Sequence, residues 1–196
     1  MSNSSQSDSP TLPASRPARN KRMLGAMGAL ALVISLCAAP LTANAYTYTG
    51  CKWPASNLNV NIIGTSGTSG TAIRSALSNY TAATDVNLTG VTTTGPTFTA
   101  NQFNYGATGW AGINSSVCPF GNTTSSAVRL NLYYTFNTAA NEGRLRLIWL
   151  HEIGHALGLD HVTTVARVMY TPTSSAYTAG VRNLTSDEKN GINALY

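Results

Sequence analysis

The sequence predicts an α/β (α+β) fold: a twisted mixed sheet, one helix carrying the first two of the three histidines, and a C-terminal helix. Three observations carry this prediction. Residues 58–62 (Leu-Asn-Val-Asn-Ile) and Val128, Leu130, Leu132 and Tyr134 alternate apolar with polar positions, the period of half-buried strands. Ile73, Leu77 and Tyr80 recur at helical spacing within residues 71–80, giving one face to pack on a sheet. Thr185 and Glu188 form the ends of a capping-box pattern that opens a last helix, with Ile192 and Leu195 on its buried side. Strands and helices in this order pack as layers around one core.

The first 45 of the 196 residues stand apart from that fold. A polar Ser/Pro-rich start is followed by the basic cluster Arg16, Arg19, Lys21 and Arg22. An apolar run over residues 24–36 and the small-x-small triplet Ala43-Asn44-Ala45 come next. That order is the pattern of a secretory signal peptide with a long leading region. A membrane anchor is the rival reading, but a span needs roughly 20 apolar residues and this run is shorter. Cleavage after Ala45 leaves residues 46–196 as one domain-sized body. The implied location is secreted and extracellular, with no membrane attachment after cleavage.

Charge excludes one class of partner. The chain carries 12 Lys/Arg against 7 Asp/Glu, a formal net charge of +5. Four of those bases lie in the leading segment, and no basic stripe follows, so no nucleic-acid partner is expected. Cys51 and Cys118 remain after cleavage. In an exported chain such a pair reads as a disulfide, with a latency-conferring thiolate at Cys51 the less simple alternative.

Between the ends, residues 64–70 read as a Gly/Ser/Thr loop. Short strand-like pieces appear around residues 86–88 and 97–105. Residues 137–141 open the second helix, and the chain reads as irregular from His161 to Thr185. Asn-x-Ser/Thr triplets at Asn79, Asn87 and Asn183 are what chance supplies in so Ser/Thr-rich a chain.

The second helix runs into His151-Glu152-Ile153-Gly154-His155-Ala156-Leu157-Gly158-Leu159-Asp160-His161, which holds every histidine of the chain. Residues four apart share a helix face, so His151 and His155 can offer nitrogens to one ion. Gly158 suits the left-handed turn that ends a helix and would return His161 to that ion. Three protein ligands leave a fourth position open, the pattern of a catalytic zinc. Glu152 lies beside the site as the candidate catalytic base.

This string, with Met169 eight residues beyond it, resembles the elongated zinc motif and methionine turn of the metzincin metallopeptidases. The Val168-Met169-Tyr170 turn, the closing stretch over residues 184–196, and Gly50 with Trp53-Pro54 look most like a secreted bacterial matrixin-type enzyme. The resemblance implies a zinc-dependent endopeptidase that hydrolyses protein or peptide substrates through a zinc-bound water. His151, His155 and His161 would be the metal ligands and Glu152 the general base. Met169 would be a floor beneath the metal and not a ligand. The substrate would lie along a sheet edge ahead of the zinc helix, for which residues 110–114 are the candidate. With no further histidine, one zinc per chain is expected. The Asp clusters of calcium loops are missing too, so structural calcium is left open. A propeptide carrying a cysteine switch is also missing from the pattern, and a monomer is expected. Tyr170 directly follows Met169 and is assigned no catalytic role. Thr171 stands between it and Pro172, so the wall of the specificity pocket departs from the family pattern. A non-catalytic zinc-binding or adhesion module on the same scaffold is the alternative, against which the presence of Glu152 counts.

Overall fold

The computed structural model describes residues 46–135 and 137–196; the expected leader at residues 1–45 lies outside the described residues. Five strands build the main sheet: β2 (Asn57–Ile63), β3 (Asn87–Val91), β4 (Phe98–Phe103), β5 (Gly112–Val117) and β6 (Ser125–Asn131). Their spatial order is β3-β2-β4-β6-β5. β2 runs parallel to both β3 and β4, and β4 runs parallel to β6. β5 is antiparallel to β6 and forms one edge of the sheet. A separate two-stranded pair joins β1 (Thr47–Tyr48) to β7 (Leu159–Asp160). The sheet is therefore mixed, as the sequence predicts.

Two long helices, α1 (Gly67–Ala83) and α2 (Glu142–Ala156), pack on each other and on the sheet. Ile73, Leu77 and Tyr80 face the core, as their spacing requires. Val60, Ala100, Val128 and Leu130 meet them from the strands. Tyr80 donates its hydroxyl to Leu150 O at 2.7 Å, and Trp149 Nε1 donates to Ser69 Oγ at 3.3 Å. The α1–α2 interface is thus pinned by buried hydrogen bonds as well as by apolar area.

Four elements differ from the sequence expectation. α1 begins at Gly67, inside the stretch expected to be loop. Its opening amides are met from far along the chain: Asn137 Oδ1 accepts from Ser69 N at 2.7 Å, and Asn137 Nδ2 donates to Ser66 O. β6 ends at Asn131 and does not continue to Tyr134. The buried Asn131 side chain accepts from Tyr105 N and Tyr133 N and donates to Gly106 O, which turns the chain there. The stretch expected to be irregular contains a short helix, α3 (Thr173–Thr178). Finally, the segment ahead of β2 carries β1.

The last helix, α4 (Ser186–Asn193), opens with the expected reciprocal bonds between Thr185 and Glu188. Cys51 and Cys118 form a disulfide that links the segment after β1 to the end of β5. Among the described residues, no helix is long and apolar enough to cross a membrane.

Candidate metal centre

α2 carries the candidate site because its inner face is buried over two full turns: Leu145, Ile148 and Glu152 line one side, and His151 and His155 follow on the next stripe. The helix stops at Ala156. Gly158 then takes φ +108°, in the left-handed region, and a Cβ there would collide with the Cys51 carbonyl oxygen. Only glycine fits that turn. The chain reverses through β7 and brings His161 back.

The three imidazoles meet at one point. His151 Nε2 lies 3.1 Å from His161 Nε2 and 3.2 Å from His155 Nε2; the remaining pair is 3.0 Å apart. Three nitrogens bound to one tetrahedral ion at 2.0–2.1 Å sit roughly 3.3 Å apart, so this spacing fits zinc. The tautomers fit as well. His151 Nδ1 lies 2.8 Å from Val168 O, and His155 Nδ1 lies 2.9 Å from Leu159 O. A carbonyl can only accept, so both Nδ1 atoms carry hydrogen and both Nε2 lone pairs face inward. Two lone pairs converging with a third ring nitrogen suit a cation, and these three residues could hold one.

Electrostatics agree with that donor set. Burial, helped by neighbouring His155, pushes His151 down to about 3, against a smaller opposing pull from the Val168 carbonyl. His155 is lowered mainly by burial too. Both rings are therefore neutral and ready to ligate at ordinary pH. Glu152 is buried at 6% exposure beside them. Its burial raises the carboxyl to about 8, with the Asn114 backbone amide pulling the other way.

Met169 is buried, with its sulfur against Gly154 of the histidine-bearing helix. The amide of Met169 donates to Glu188 Oε1 at 3.3 Å, tying this turn to α4. Beside Glu152 opens a cleft of about 520 Å³, walled by Gly112, Leu145, Ile148, Thr171, Pro172 and Tyr177. One of its walls is the start of β5, the sheet edge. The Thr171–Pro172 peptide is cis.

Three features at this site escape a reading of the sequence. Gly112 is one: a Cβ there would stand 2.7 Å from Glu152 Oε1. Gly154, inside the histidine string, is another, since Met169 and the Tyr80 hydroxyl occupy the space of its missing side chain. Thr47 is the third, with its hydroxyl on His161 O. Each is defined by a neighbour more than ten residues away, so no local pattern marks it.

Comparisons with known proteins agree with the architecture. The family model for Matrixin matches residues 53–196. A protein of Spodoptera frugiperda ascovirus 1a, named "Putative matrix metalloproteinase", is 39% identical over 69 residues. That alignment covers 32% of this chain and 18% of the viral protein, so the chain spans less than a fifth of that relative. The family match extends over most of the chain and includes the whole site, and the chain belongs to the matrixin family of zinc metallopeptidases.

Proposed function

We propose that this chain is a secreted zinc-dependent endopeptidase in which His151, His155 and His161 hold the metal and Glu152 is the general base. The observation that carries the reading is the convergence of three imidazoles beside a buried carboxyl group at the wall of an open cleft. When bound, zinc supplies a Lewis acid that polarises a carbonyl and makes water acidic.

The chain's own residues do the rest. The exposed edge of β5 offers backbone donors and acceptors along which an extended peptide can add as a strand. The cleft past Ile148 and Leu145 takes the side chain that follows the scissile bond. Glu152 Oε accepts a proton from the attacking water as the new C–O bond forms, then returns it to the amine nitrogen as the C–N bond breaks. Burial alone would keep this carboxyl protonated at neutral pH. A cation held by the neighbouring imidazoles favours its ionised form, which is the form a base needs. Secretion is supported by the leader-like pattern of residues 1–45 and by the disulfide, which persists in oxidising compartments.

The test is digestion of casein or gelatin by the zinc-loaded chain. We expect cleavage that a chelator abolishes and added zinc restores. Glu152→Gln should keep one zinc per chain and lose turnover by at least a thousandfold. A Gln variant with near-normal turnover would remove Glu152 from this role, and zinc-loaded protein that cleaves nothing would favour a binding module.

A further inference from the structure

Two of the three candidate ligands are held through their rings, and the third is not. His151 and His155 each direct Nδ1 at a main-chain carbonyl. Among the described residues, His161 makes no such contact, and its ring is exposed. Its place is set by its backbone. The His161 amide donates to Asp160 Oδ1 at 2.7 Å. The Thr47 hydroxyl donates to His161 O at 2.6 Å. β1 pairs antiparallel with β7, setting Thr47 opposite Asp160 and Tyr48 opposite Leu159. Just before this, Thr49 N donates to Gly158 O at 2.9 Å, and Cys51 covers Gly158. The disulfide to Cys118 then anchors this strap to the sheet.

We propose that Thr47 is a positioning residue for the metal centre: through it, β1 clamps the Gly158–His161 turn and holds the third imidazole at the metal locus. The inference rests on the zinc reading above. A ligand on a free turn must be ordered when the metal arrives, and apparent affinity falls by the fraction of chains in which it is out of place. A clamped turn is already in place. Thr47 thus does for the His161 backbone what the two carbonyls do for the other rings.

The test uses the full chain carrying Thr47→Val, which keeps the shape and strand preference but removes the hydroxyl, and Thr47→Ser, which keeps the hydroxyl. Zinc affinity is read by competition with a chromophoric chelator. Amide hydrogen exchange of residues 158–162 and the melting temperature are read on metal-free protein. We expect Thr47→Val to weaken zinc on the order of fivefold, the effect of one net hydrogen bond. Exchange in the turn should quicken while global melting barely moves, and Thr47→Ser should match the unaltered chain. Thr47→Val with normal zinc affinity overturns the clamp alone. So does a lowered melting temperature with unchanged affinity, which marks a merely structural contact, or a Ser variant as weak as Val. Failure of the unaltered chain to bind zinc removes the zinc reading, and the clamp with it.

Discussion

Glu152 is squeezed between its own helix and the first residue of β5. Gly112 has no room for a methyl group: a Cβ would stand 2.5 Å from Ile148 Cγ2 and 2.7 Å from Glu152 Oε1. Neither neighbour can retreat easily, since Ile148 and Glu152 are both buried. Gly112→Ala should therefore displace the Glu152 carboxyl group without touching a candidate metal ligand. We expect turnover to fall at least tenfold at unchanged zinc content, with a stability loss of about 1–3 kcal/mol from overpacking. Steady-state kinetics beside zinc analysis checks this; wild-type turnover in the Ala variant would show that the carboxylate has slack. The identity of His151, Glu152, His155 and His161 as candidates was legible in the sequence because one helix and one turn relate them. Gly112 was not legible, because its neighbour lies 40 residues on.

At the scale of elements, α2 depends on distant partners at its C-terminal end. Its terminal carbonyls are met by distant donors: Trp53 Nε1 donates to Ala156 O at 2.9 Å, and the Tyr196 hydroxyl donates to Leu157 O at 3.0 Å. The strap from β1 to Trp53 therefore caps the helix of the candidate site as well as pairing with β7. The Cys51–Cys118 bond holds this strap, with Cα atoms 5.7 Å apart and a sequence separation of 67. Closing a loop of that length contributes about 4 kcal/mol in the chain-entropy model. Replacing both cysteines with serine should cost about 2–5 kcal/mol, read as a shift in the urea midpoint. Because the strap also packs on Gly158, zinc affinity should weaken as well, and unchanged affinity in a folded double variant would separate the two effects. The pairing of these cysteines was readable from their number. What the pairing holds in place was not, since β1 is two residues long and has no periodicity to detect.

For the whole molecule, burying the site makes stability depend on pH in two opposing ways. In metal-free protein, His151 is lowered from 6.5 to about 3, and His155 is lowered too. The unfolded chain then binds more protons below 6.5, so stability falls as pH drops from 6.5 towards 3. Glu152 is raised from 4.5 to about 8. Here the folded state keeps the proton, so stability falls as pH rises from 4.5 to 8. The two effects oppose each other between 4.5 and 6.5, so the stability of metal-free protein peaks within that window and falls on either side of it. Scanning calorimetry of chelator-treated protein across pH 3–9 tests this, and Glu152→Gln should lack the decline on the alkaline side. A profile flat from pH 5 to 8 would contradict the burial argument.

The sequence by itself determined the strands and helices with regular periods, the capping box at Thr185, the disulfide pair and the three histidines with Glu152. These are local patterns: period 2, period 3.6, or ligand spacing along one helix and turn. Only the tertiary structure decided where α1 begins and where β6 stops, while the candidate edge at residues 110–114 falls at the start of edge strand β5. Asn137 caps α1 from 68 residues beyond Ser69, and Asn131 bends the chain by bonding Tyr105. The tertiary structure also decided why Gly112 and Gly154 must be glycine and what steadies His161. Each of those answers is a contact between residues far apart in the chain, and such contacts exist only once the core has formed.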